Sequence, residues 1–113
     1  GKKINLFRDA WTSSIDVRSF SHFVCKLFFK MNSRGLLNLA AREVYSKETL
    51  IRSIADSLGL KHDQCISESI ENHFPSRPNC LGLNVSRAEQ ILGHKLPTMQ
   101  EVCDTLVIDL NKR

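Results

Sequence analysis

The chain has 113 residues, with 16 Lys and Arg against 12 Asp and Glu for a net charge of +4, and 42% apolar and 25% charged residues. A chain of this size and composition is one ordinary soluble domain that buries roughly two thirds of its unfolded surface without needing a disulfide or a metal. Its five glycines, Gly1, Gly35, Gly59, Gly82 and Gly93, stand too far apart for a dinucleotide fingerprint or a phosphate-cradling loop, no apolar run reaches the roughly 18 residues of a membrane span, and Gly1-Lys2-Lys3-Ile4-Asn5 lacks a signal-peptide core, so a cytoplasmic setting is expected.

The first element is a helix capped by Asp16, with Val17, Phe20, Phe23, Val24, Leu27, Phe28 and Met31 at helical spacing. Asn32-Ser33-Arg34-Gly35 ends it, and Leu36-Leu37-Asn38-Leu39-Ala40 reads as a short buried strand. Ser46 opens a second amphipathic helix carrying Leu50, Ile51, Ile54, Ala55 and Leu58, with Gly59 placed to terminate it. From Lys61 to Leu83 the periodicity is lost, and Pro75 and Pro78 hold the intervening stretch extended or looped. Two capping boxes follow, Ser86 with Glu89 and Thr98 with Glu101. The first starts a short helix closed by Gly93, the second a last helix with Val102, Leu106, Val107 and Leu110 along one stripe. Four helices with short strands make a helix-dominated α/β chain, with no internal repeat.

Metal chemistry has little support. Cys25, Cys65, Cys80 and Cys103 form no Cys-x-x-Cys pair, and His22, His62, His73 and His94 are as scattered, with His22-x-x-Cys25 the one close spacing. Reduced thiols and no bound metal are expected. A short-chain dehydrogenase needs a lysine four residues after its catalytic tyrosine; the one tyrosine is Tyr45, followed at that distance by Thr49. No serine lies on a glycine-flanked elbow. The pairs Asp104 with Asp109 and Glu68 with Glu71 read as solvated surface charge.

The segment His73-Phe74-Pro75-Ser76-Arg77-Pro78-Asn79 is less ordinary. An arginine between two prolines loses less entropy when it clamps an anion, and its planar fork suits phosphate or carboxylate. An arginine that pairs with a nearby acid, or caps a helix end, is the other reading of the same spacing.

Five segments in order carry a family resemblance: Asp16-Val17-Arg18, Gly35 to Ala40, Val44-Tyr45-Ser46-Lys47-Glu48, Arg77-Pro78-Asn79-Cys80-Leu81-Gly82-Leu83-Asn84, and Leu92 to Thr98. Together, over roughly residues 4 to 110, the chain resembles the C-terminal part of dTDP-4-dehydrorhamnose reductases, extended short-chain dehydrogenases acting on sugar nucleotides. The resemblance implies one substrate-binding domain fragment spanning 1–113, from an oxidoreductase of cell-surface polysaccharide biosynthesis. The parent's Rossmann half would hold NADPH or NADH and the catalytic Tyr and Lys, and this chain alone would bind no cofactor and be inactive. Its ligand would be a nucleotide-sugar, a dTDP-sugar or similar, with Arg77 on the diphosphate and Asn79 orienting the loop or touching the nucleotide.

Two departures stand out. Thr12, Ser13 and Ser14 occupy the place of the family's Arg-Ser/Thr-Pro, which removes an anion contact and predicts a looser loop, and Ala41 stands where the family favours glycine. A non-catalytic regulatory or interaction subunit of the same fold is an alternative. A small basic nucleic-acid-binding domain is a second, disfavoured because the excess charge lies partly at the ends, Lys2-Lys3 and Lys112-Arg113, and Lys and Arg do not concentrate on one helix. Neither nucleic acid nor membrane is an expected partner, whereas apolar faces freed of a Rossmann sheet predict self-association.

Overall fold

A computed structural model describes residues 3–30 and 35–113. The chain opens with β1 (Ile4–Phe7) and β2 (Trp11–Thr12), followed by helix α1 (Val17–Lys30). Next come β3 (Tyr45–Ser46), α2 (Lys47–Ser57) and β4 (Cys65–Glu68). After a single 3-10 turn (Ile70–Asn72), β5 (Cys80–Leu81), α3 (Ser86–Leu92) and α4 (Met99–Asn111) complete it. The expected helix-dominated α/β architecture is present.

Three helices start where their caps predict. The Asp16 carboxylate accepts from Ser19 N at 2.8 Å, Ser46 Oγ accepts from Thr49 N at 3.1 Å, and Thr98 with Glu101 forms a complete capping box. Gly59 and Gly93 follow their helices at φ 68° and 76°, in the left-handed region where a side chain is strained. The Ser86 box does not form. Asn84 Oδ1 takes the Ser86 N–H at 2.9 Å, and Glu89 turns away to accept Leu96 N at 2.7 Å, so α3 begins without a side-chain cap.

The strands form two small sheets. β1 and β4 pair in parallel, Ile4 opposite Cys65 through Phe7 opposite Glu68, and β2 lies between antiparallel β3 and parallel β5. The stretch expected to be irregular, Lys61 to Leu83, therefore holds two strands. Leu36–Ala40 is not a strand: Ala40 is buried, Leu36 lies in the open, and no backbone–backbone hydrogen bond joins the segment to another described residue, the Leu36 carbonyl accepting instead from Arg87 Nη1 at 2.7 Å. The expected turn at Asn32-Ser33-Arg34, and Met31 in the first helix, lie outside the described residues.

Two hydrophobic clusters hold these elements. Leu27, Ala40, Val85, Ala88, Leu92 and Leu96 pack where α1 meets α3, and Ala41, Tyr45 and Val102 pack where α2 meets α4. The Tyr45 hydroxyl donates to the Ser14 carbonyl. Burial, with lesser contributions from Cys103, Glu43 and Asp16, pushes its pKa up to about 12. The principal extents are 50 × 37 × 18 Å and the radius of gyration is 16.1 Å, against about 13 Å for a rounded domain of this length. The molecule is a plate, and among the described residues no helix is long and apolar enough to cross a membrane.

Candidate functional site

The Arg77 loop is anchored at both ends by the sheets. On one side Arg8 N donates to Glu68 O at 3.1 Å, continuing the β1–β4 pair, and Asp9 accepts from Ser69 Oγ at 2.6 Å and Ile70 N at 2.8 Å. Those two bonds, the Ser69 hydroxyl foremost, hold the Asp9 carboxyl below its ordinary pKa. On the other side Trp11 N donates to Asn79 O at 2.7 Å, where β5 joins β2. Between these anchors Phe74 N returns to Ile70 O at 2.7 Å and Arg77 N to Phe74 O at 3.1 Å, closing consecutive turns.

Aromatic packing fixes the loop's inner side. The Phe7 ring lies 5.5 Å from His73 and 6.1 Å edge-on from Phe74, centroid to centroid. The Arg77 guanidinium sits 4.5 Å over the Phe74 ring, an attraction worth about 0.5–1 kcal/mol at an exposed site. Arg77 pairs with no carboxylate among the described residues, so the acid-paired reading of its spacing does not hold. Arg77 and Asn79 are both exposed; the Asn79 carbonyl is committed to Trp11, which leaves its side-chain amide for another partner.

Beyond Asn79 opens a groove of about 380 Å³. Cys80, Gly82 and Asn84 line one side, with Arg42, Ser86 and Glu89 among the other wall residues. Neither Arg77 nor Asn79 lines it, and the Arg42 guanidinium has no carboxylate partner among the described residues. Sequence spacing could not find this groove, because residues from before α2 and after β5 meet only in the folded chain. The one available signal was Gly82, where a Cβ would stand 2.5 Å from Val44 Cγ2.

The loop from Thr12 to Ser14 contradicts the looseness expected of it. Thr12 Oγ1 and Ser14 Oγ lie 2.8 Å apart, Ser13 Oγ accepts Leu83 N at 3.0 Å, Ser13 O accepts Ala41 N at 2.9 Å, and Ser14 O accepts from Tyr45. Hydroxyls fasten what a proline would otherwise stiffen. Ala41, at the position where glycine was favoured, is fully buried.

Three further acids have structural partners. Asp109 pairs with Arg18, Asp104 accepts from Gln100 at 2.8 Å, and Glu48 holds both Arg52 and Ser67. Among the described residues no three His, Cys, Asp or Glu side chains could share a metal, and the four cysteines are free. The residues do not fit a nicotinamide cofactor: the described glycines stand apart from one another, and the Tyr45 hydroxyl is occupied by a carbonyl with Thr49 in the place of a lysine.

No family model matches the chain, and no curated protein does. Among solved structures it is similar to dTDP-4-dehydrorhamnose reductase from Yersinia enterocolitica, with a TM-score of 0.70 and 20% identity over 93% of this chain and 39% of that one. It is also similar to RMD from Pseudomonas aeruginosa, solved with NADPH, with a TM-score of 0.66 and 15% identity over 97% of this chain and 36% of that one. The shared feature at these identities is the fold. The chain has the architecture of part of a dTDP-4-dehydrorhamnose reductase, and it spans less than two fifths of either neighbour's length.

Proposed function

We propose that the chain is a nucleotide-sugar-binding domain of the dTDP-4-dehydrorhamnose reductase type, and that it binds its ligand without catalysing a reaction by itself. The observation that carries the proposal is Arg77, stacked on Phe74 in a loop anchored at both ends and free of any carboxylate among the described residues. A guanidinium held by its face keeps its N–H edge for an anion, and two parallel bonds to a diphosphate are stronger than neutral ones. Asn79 contributes its side-chain amide to the nucleotide. The groove beginning at Cys80, with Arg42, Asn84 and Ser86 as polar groups, takes sugar hydroxyls.

Hydride transfer and the nicotinamide cofactor, NADPH or NADH, would belong to the rest of a cytoplasmic parent oxidoreductase, because this chain's residues fit neither. Its part is to bind and orient the substrate.

Calorimetric titration with dTDP and with UDP tests the reading. Wild type should bind weakly, Arg77→Ala should lose about tenfold or more in affinity through one charge-assisted contact, and Phe74→Ala should lose less. Equal binding by wild type and Arg77→Ala removes Arg77 from the site, and no binding of either nucleotide by the wild-type chain overturns the proposal.

A further inference from the structure

One arginine ties α2 to the turn from which β4 departs. Arg52 uses every nitrogen of its guanidinium: Nε donates to Glu48 Oε1 at 2.9 Å, Nη1 to the His62 ring at Nδ1 at 2.8 Å and to the His62 carbonyl at 3.4 Å, and Nη2 to the Cys65 carbonyl at 3.3 Å. The His62 carbonyl also takes the Cys65 N–H at 3.0 Å, which closes the turn. On its other side the His62 ring meets Asp56 Oδ1 through Nε2 at 2.6 Å. From here β4 runs to Ser69, one anchor of the Arg77 loop.

A guanidinium is a donor at every nitrogen and accepts nothing. Nδ1 of His62 therefore presents its lone pair to Arg52, and the single ring proton of the neutral imidazole stands on Nε2, aimed at Asp56. Only the neutral ring satisfies both contacts. A second proton enters at Nδ1 and sets N–H against N–H and one positive charge against another. The two arms are unequal, because the His62 and Arg52 side chains are 25% and 29% exposed and that of Asp56 is 69% exposed. Water screens the attraction to Asp56 more than the repulsion from Arg52.

We propose that the Arg52–His62 contact is a proton-operated latch: protonation of His62 opens it, releases the His62 and Cys65 carbonyls from the guanidinium, and loosens the start of β4 while α2 stays in place. Arg52 keeps one partner when the latch opens. Glu48 also accepts from Ser67 Oγ at 2.7 Å, and that hydroxyl foremost, then Arg52, holds its carboxyl below the ordinary pKa, so it stays charged while an imidazole titrates. The other titratable groups around the ring are Cys65 on β4, Lys61 and Asp63 beside it in the loop, and Lys3 and Arg8 at the two ends of β1, the strand paired with β4. The ring's own two hydrogen bonds go to Arg52 and Asp56. The inference is independent of what binds at Arg77.

Nuclear magnetic resonance of the whole chain tests it. Imidazole nitrogen shifts at neutral pH should show His62 protonated at Nε2 and bare at Nδ1. From about pH 8 to about pH 5, the span in which imidazoles take their proton, protection of the Cys65 amide against exchange, scaled to its intrinsic rate at each pH, should fall about tenfold as the charge-assisted ties are lost. His62→Asn puts a side-chain oxygen in place of Nδ1 and does not titrate, so its Cys65 protection should stay constant within about twofold. Asp56→Asn keeps an acceptor for Nε2 without the charge and should retain the response. A proton on Nδ1 in the neutral ring overturns the inference, as does Cys65 protection that is unchanged in wild type, falls equally in His62→Asn, or loses its pH response in Asp56→Asn.

Discussion

Gly82 lies so close to Val44 that a Cβ added there would stand 2.5 Å from Val44 Cγ2 and 2.9 Å from Cγ1. The obstacle is a short β-branched side chain with no flexible end to swing aside. Gly82→Ala should therefore destabilise the chain by about 1–3 kcal/mol, as overpacking does. Val44→Ala should recover most of that loss in the double variant, a coupling read from urea denaturation of the four proteins.

The two candidate capping boxes make a direct comparison. Thr98→Ala removes a formed box and should cost about 1 kcal/mol. Ser86→Ala touches a hydroxyl that caps nothing and should stay within about 0.5 kcal/mol of wild type in the same thermal melts.

Tyr45→Phe leaves the Ser14 carbonyl without its donor and should cost about 1 kcal/mol at neutral pH. The tyrosine's folded pKa of about 12 lies above its ordinary 10.0. Its contribution is therefore complete below the lower value and is lost as pH rises from one towards the other, since the unfolded chain releases its proton first. Urea midpoints in alkaline buffers should show the difference between wild type and Tyr45→Phe shrinking across that interval.

Asp9 works in the opposite direction. Its folded pKa lies below the ordinary 3.8, so its stabilisation is present above that value and fades as pH falls through the folded one. Asp9→Asn should lower the melting temperature at neutral pH and converge on wild type in strong acid. A constant gap between the two melting curves would mean that the carboxylate's charge contributes nothing.

The legible parts of this fold were those written locally. Asp16, Ser46 and Thr98 mark helix starts because a cap and its target N–H lie three residues apart, and Gly59 and Gly93 mark ends through a backbone angle that belongs to one residue. β1 and β4 escaped notice because exposed Ile4 and Ile66 carry no clear alternation, and their pairing joins remote segments. Leu36–Ala40 shows the reverse case, a strand-like run that has no strand to join among the described residues. Ser86 misled because Asn84 competes locally and Leu96 claims Glu89. At the candidate site, the prolines around Arg77 announced a held loop, whereas its Phe74 platform is set by Phe7 and the groove by Arg42 and Asn84, none of which spacing connects.

The 18 Å thickness of the plate bears on how the chain unfolds. That is less than two helix diameters with side chains, so a large share of the apolar surface is already hydrated before unfolding begins. Denaturant sensitivity and the heat capacity of unfolding both scale with newly exposed surface. Both should fall below the usual values for a chain of 113 residues.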